Sequence, residues 1–313
     1  MSKRIFFCSA LCATFLYVSY YQFTPRIQVQ NTFETKVDRS IKVNLSGKPM
    51  IPPFIDIERH YTIAPAYNIS FCPIKKSMST LTSGITCALY DTEKFMKKNR
   101  SILEMYNVRF CAKQNEYDNL TDITSKLPEY HETFTKIVVI RDPISRFISF
   151  FADKCIFEAK QSPHQHRCYD CLGNITCFLE KQYERFVALS SNESSLVITY
   201  EDRHAAPISW NCELAKYMHQ YTFVKIDADP ENKKKGIEKI MSILKERNVS
   251  DDLIEFFKKS ASEGETSHST YNSEAHDLVK KQIDESETIR SWLRSIYYMD
   301  YVIFGFDTRT IER

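Results

Sequence analysis

The stretch TKIVVIRDPISRFISFF, residues 135–151, changes character twice within seventeen residues. Ile137 to Ile140 form a continuous apolar run, the mark of a strand buried on both faces in a parallel sheet. Asp142 can cap a helix and Pro143 suits its first position. Ile144, Phe147, Ile148, Phe151 and Cys155 then recur at helical spacing, so one helix face goes to the core. The stretch therefore reads as a strand-to-helix junction of an α/β fold. Arg141 stands at the strand's carboxyl end, and Ser145 and Ser149 stack four residues apart on the face away from the apolar stripe. An arginine fork and a serine hydroxyl beside a helix N-terminus form a phosphate pocket. The competing reading is a structural Arg141–Asp142 pair with Ser149 merely exposed.

A second junction of the same kind lies upstream, in AYNISFCPIKKSMSTLTSGITCALY. A strand-like run ends near Cys72, a helix begins around Ser79, and Lys75, Lys76, Ser77, Ser79, Thr80 and Thr82 crowd the turn. Free backbone N–H groups and the helix dipole favour an anion there. An ordinary Ser/Thr cap with two solvated lysines is the alternative. No G-x-x-x-x-G-K-[ST] is present, which removes most support for a kinase or NTPase. Gly84 lies beyond the turn and suits close helix packing.

Around these junctions the chain reads as a single α/β domain, with a central parallel sheet flanked by helices, over residues 60–313. The 42 basic and 40 acidic residues of the 313-residue chain leave a net charge of +2, so there is no global field for nucleic acid, and charge-based binding has to be local. Lys3 and Arg4 precede an apolar, aromatic-rich run, which predicts a cytoplasmic tail at 1–4, a membrane-spanning signal-anchor at 5–23 and a Pro-interrupted lumenal stem at 24–59. A cleaved signal peptide is the rival, but the run ends in bulky Tyr20 and Tyr21. Sequons at Asn44, Asn68, Asn99, Asn119, Asn174, Asn192 and Asn248 agree with a lumenal domain. Outside the apolar run stand Cys72, Cys87, Cys111, Cys155, Cys168, Cys171, Cys177 and Cys212, an even number that suits a disulfide framework. Cys168, Cys171 and Cys177 with His164 and His166 could instead hold zinc, although the spacing is not that of a finger.

The two junctions together resemble the sulfotransferase family. VIRDPISRFISFF is similar to its R-[DN]-P-x-x-R-x-x-S element, and KKSMSTLT resembles the loop that wraps the donor's 5′-phosphosulfate. The resemblance implies a P-loop-like sulfotransferase fold and a donor, 3′-phosphoadenosine 5′-phosphosulfate. Arg141 and Ser149 would hold its 3′-phosphate, and Lys76, Ser77, Ser79 and Thr80 its phosphosulfate. No metal is implied. Lys75 replaces the loop's usual proline and bulky Met78 enters the turn. DRHAAPISWNCELAKYMHQYTFVKI, SHSTYNS and SIYYMDYVIFGF look like segments of the Golgi membrane-anchored branch that includes chondroitin 4-O-sulfotransferases, the last as an aromatic strand-helix tail. The implied partners are a glycan or proteoglycan acceptor, such as chondroitin, and a membrane through the anchor.

Sulfuryl transfer needs fixed positive charge at the leaving oxygen, which the resemblance gives to Lys76, and a base for the attacking hydroxyl. His131 and His204 are the candidate bases, with Glu129 and Asp202 also of suitable type. Two other classes compete. One is a catalytically silent relative that binds glycans, with Met78 as its warning sign. The other is a lumenal glycosyltransferase, which would want a metal-binding Asp-x-Asp, and the expectation is that none stands between Tyr61 and Arg313.

Overall fold

The short link between the first two strands sets the sheet's character. Strand β1 (Tyr61–Ala64) and strand β2 (Ile69–Phe71) are joined by a single 3-10 turn, Pro65–Tyr67, closed by Asn68 in the left-handed region. So short a link cannot carry a crossover, and the two strands pair antiparallel, Ile63 opposite Ser70. Strand β3 (Glu116–Tyr117) also pairs antiparallel with β1. Beyond β2 the sheet is parallel: β2 runs beside β4 (Thr135–Arg141), and β4 beside β5 (Tyr221–Ile226). The order is β3-β1-β2-β4-β5, so the sheet is mixed where an all-parallel one was expected.

This computed structural model describes residues 48–105, 108–191, 196–227, 229–263 and 273–312. The expected tail and signal-anchor, stem residues 24–47 and most of SHSTYNS lie outside the described residues. Among the described residues no helix is long and apolar enough to cross a membrane. Residues 48–59, expected as the end of a stem, pack onto the domain: Ile51 is buried, Trp210 donates to the Pro52 carbonyl at 2.8 Å, and Lys48 lies 3.3 Å from the Trp292 ring centre.

Alternation along β4 builds two cores. Ile137 and Val139 face helices α1 (Ser79–Tyr90), α5 (Pro230–Glu246) and α6 (Asp251–Glu263), while Val138 and Ile140 face the opposite layer with Tyr61, Tyr130 and Phe304. A third, mainly helical cluster gathers helix α2 (Pro143–Phe150), its π-helical continuation Phe151–Glu158, α3 (Ile175–Ser190), α7 (Glu274–Glu285) and α8 (Glu287–Phe304). Helix α4 (Tyr200–Ala205) closes on α2. The aromatic tail SIYYMDYVIF, expected as strand then helix, is helix throughout α8 and stops at Gly305 in the left-handed region, as a helix cap requires.

All eight cysteines of the domain are paired: Cys72–Cys212, Cys87–Cys111, Cys155–Cys168 and Cys171–Cys177. The thiols that a zinc site would have used are therefore oxidised. Gly84 does serve packing, since a Cβ there would come within 1.9 Å of the Ile102 carbonyl oxygen. Because that neighbour is backbone, Gly84→Ala is expected to lower stability by about 1 to 3 kcal/mol in denaturant unfolding; an unchanged midpoint would contradict this packing.

Candidate active site

Parallel pairing places both sequence junctions at one edge of the sheet. Phe71 of β2 stands opposite Ile137 of β4, so the Lys75–Met78 turn and the Arg141–Pro143 turn leave side by side. Arg141 Nη1 lies 3.5 Å from the Lys76 carbonyl oxygen. Arg146, buried in α2, ties the turns together from below. Its guanidinium donates to the Lys75 carbonyl at 3.4 Å, to the His204 carbonyl at 3.1 Å and to the Ala206 carbonyl.

The Lys75–Met78 turn is shaped for an anion. Lys76 and Met78 take positive φ, 64° and 60°, and Ser77 between them does not. Alternating backbone of this kind is the conformation of an anion nest, although the Ser77 amide already donates to the Ile74 carbonyl at 3.1 Å. No side chain caps the N-terminus of α1, which leaves the amides of its first turn, at Ser79 and Thr80, available. Ser77 Oγ is buried with no hydrogen-bond partner. The thioether of Met78 packs against the core beneath α1, and that contact offsets the left-handed strain at a non-glycine residue.

At the second junction, Asp142 accepts from the Ser145 amide at 2.8 Å and Pro143 opens α2, as the sequence predicts. The other oxygen of Asp142 takes the Tyr301 hydroxyl at 2.7 Å, and burial pushes its carboxyl up from the usual range. Ser145 Oγ donates to Asp227 at 3.0 Å. Ser149 is half-buried one turn further along the same face. Contrary to the expectation that no Asp-x-Asp is present, Asp227-Ala228-Asp229 is such a triplet. Both carboxylates have structural partners, Asp227 in Ser145 and Asp229 in the Asn232 amide at the start of α5.

Lys76 points into a charged cluster that the sequence reading missed. Its Nζ lies 2.5 Å from Asp153, a buried residue of the π-helical stretch, and Lys154 meets the same carboxylate at 3.0 Å. Lys154 also pairs with Glu158, which accepts from the Tyr200 hydroxyl at 3.1 Å. On the outer side Glu58 holds Arg203 at 2.7 Å and Lys75 at 3.9 Å. The available signal was the helix face itself, because Ser145, Ser149 and Asp153 follow at intervals of four.

The two candidate histidines part company. His204 lies on α4, its ring 6.0 Å from Phe150 and 4.2 Å from Tyr200. Its Nδ1 is 2.7 Å from the Tyr200 carbonyl, which can only accept, so Nδ1 carries the proton and Nε2 keeps a lone pair. Burial, with Lys75, Lys154 and Lys76 nearby, holds the imidazole down to about 3 and therefore neutral. His131 sits before the start of β4, bonded to Gln220 at 2.8 Å and stacked on Tyr217. The whole of β4, Thr135–Arg141, separates it from the Arg141 edge, and the structure does not bring it to the cluster. Asp202 is engaged by Arg185 and Gln182, and Glu129 lies beside His131 at the far end.

A turn with uncapped helix amides, an adjacent arginine and a neutral imidazole suit group transfer from an anionic donor to a hydroxyl. Comparison with known proteins points the same way. The model of the sulfotransferase family matches residues 59–307. A Caenorhabditis elegans protein named carbohydrate sulfotransferase chst-1 is 54% identical over 300 residues, covering 96% of this chain and 90% of its own. An uncharacterized protein of the same organism is 30% identical over 261 residues, 82% of this chain and 71% of its own. No solved structure matches significantly. Since a lysine cannot reach all three carbonyls held by Arg146, Arg146→Lys is expected to lower stability by roughly 2 to 4 kcal/mol, read by denaturant unfolding without reductant. A variant as stable as the wild type would show that these bonds hold nothing.

Proposed function

Because the chain belongs to the sulfotransferase family, we propose that it transfers a sulfuryl group from 3′-phosphoadenosine 5′-phosphosulfate to a hydroxyl of a carbohydrate. The observation that carries this reading is the meeting of the two anion-shaped turns, with Arg141 at 3.5 Å from the Lys76 carbonyl. The residues present fit such a donor. Lys76, the buried Ser77 hydroxyl and the first amides of α1, at Ser79 and Thr80, would take the phosphosulfate, and Arg141 with Ser149 the 3′-phosphate.

Transfer parallels phosphoryl transfer, with in-line attack and charge growing on the leaving oxygen. Lys76 neutralises that charge, a preorganised contribution of about 3 to 4 kcal/mol. Nε2 of His204 accepts the proton of the attacking hydroxyl, and the Tyr200 carbonyl fixes its tautomer. Arg141 and Ser149 position the donor and take no part in bond making.

The acceptor in this reading is a glycosaminoglycan such as chondroitin. The name of the 54% identical relative supports a carbohydrate, and Lys75 and Arg203, which share Glu58 beside the turn, suit an acidic one. The compartment is the Golgi lumen, with residues 5–23 as a type II anchor. Four disulfides and the sequons support an oxidising, glycosylating compartment.

The test is transfer of labelled sulfate to a panel of desulfated glycosaminoglycans. Lys76→Ala and His204→Ala are expected to lower kcat about 100-fold or more, and Arg141→Ala to weaken binding of the donor nucleotide. His131→Ala is expected to keep full activity. Burial, with the neighbouring lysines, holds His204 neutral in the free protein, and an anionic donor offsets the lysines, so the acid limb of kcat should lie at higher pH than that of kcat/KM. Absence of both transfer and nucleotide binding by the folded protein would overturn the reading.

A further inference from the structure

Lys76 is surrounded by its own kind. Arg141 approaches from β4, Lys154 from the π-helical stretch and Lys75 along the same turn, with neutral His204 facing them from α4. Burial, assisted by Lys154 and Arg141, pulls the Lys76 ammonium below its ordinary range, and Asp153 opposes that pull. A lysine desolvated among cations and given no counter-charge loses its proton readily. A neutral Lys76 could not stabilise a leaving oxygen.

Among the described residues the one carboxylate in ion-pair contact with Lys76 is Asp153, at 2.5 Å. Asp153 stands in the π-helical stretch Phe151–Glu158, an uncommon conformation that is frequent at functional sites. Its second partner, Lys154 at 3.0 Å, means that the carboxylate keeps a cation if Lys76 turns away. Lys154 is in turn held by Glu158. The arrangement supplies Lys76 with a counter-charge that it can leave without stranding a buried anion.

We propose that Asp153 is a positioning residue, holding Lys76 charged and aimed at the Lys75–Met78 turn until the donor's anionic groups take over the ion pair. This rests on the donor reading given above. Asp153 touches neither donor nor acceptor in this scheme; it acts through Lys76.

The pH profile of kcat/KM for the donor separates this role from a purely structural one. Loss of the carboxylate lowers the point at which free Lys76 deprotonates, so in Asp153→Asn the alkaline limb should move to lower pH by about one to three units. The limb of kcat should move far less, because bound donor restores the counter-charge. Asp153→Glu, which keeps the charge, should retain the wild-type limb. A limb unmoved in Asp153→Asn, with the whole profile uniformly lowered, would overturn the proposal. Competitive acylation of the full wild-type chain, with Lys76 read by mass spectrometry, gives a second decision that does not require the variant to fold. Slow labelling at neutral pH is expected, and labelling of Lys76 as a neutral amine there would refute the proposal. A wild-type protein that neither transfers sulfate nor binds nucleotide would count against the donor reading alone, since the acylation rate of Lys76 still reports on the pair.

Discussion

The parallel pairing of β2 with β4, Phe71 opposite Ile137, is the constraint on which the site depends. Parallel strands deliver their carboxyl ends to the same edge of a sheet, and in open α/β sheets that edge is where ligands bind. In this chain it brings together two turns from residues 75–78 and 141–143, far apart in sequence. Arg146 then sets their distance, since its guanidinium bonds the carbonyl of Lys75 from one turn and those of His204 and Ala206 from the segment that carries the imidazole. A planar fork with several donors suits this bridge better than an ammonium does.

The electrostatics follow from that gathering. Lys75, Lys76, Arg141 and Lys154 cannot be crowded into a partly dry space without carboxylates among them, and Glu58, Asp153 and Glu158 supply the charge. The effect is a site that holds positive charge in place before any anion arrives, which is how an enzyme avoids reorganising at the moment of reaction. Burial, with the same cations nearby, keeps His204 neutral, so in the proposed mechanism the site that attracts a donor also leaves Nε2 able to accept a proton. In that mechanism one cluster thus serves both binding and base.

How much of this could be read from the chain divides along physical lines. The strand, cap and helix of 135–151 were legible because apolar continuity, Asp142-Pro143 and the 3.6-residue stripe are local signals, and each appears where they place it. The start of α1 at Ser79 was legible for the same reason. The antiparallel β1–β2 hairpin was not, since the alternation of Tyr61-Thr62-Ile63 and Ile69-Ser70-Phe71 does not fix strand direction, and only the length of the Pro65–Asn68 link decides it. His131 and His204 are equal by residue type; their separation to opposite ends of β4 is a matter of topology, which a single sequence does not display. The Asp153–Lys76 pair and the clamp at Arg146 depend on contacts across 58 residues or more, and no local pattern encodes such partners.

A crystal structure of the domain from residue 48 onward with 3′-phosphoadenosine 5′-phosphate tests most directly whether the paired turns form the donor site. The 5′-phosphate is expected within hydrogen-bond distance of the Lys76–Thr80 backbone amides, and the 3′-phosphate against Arg141 and Ser149. A nucleotide seated elsewhere, with both turns empty, would contradict the assignment.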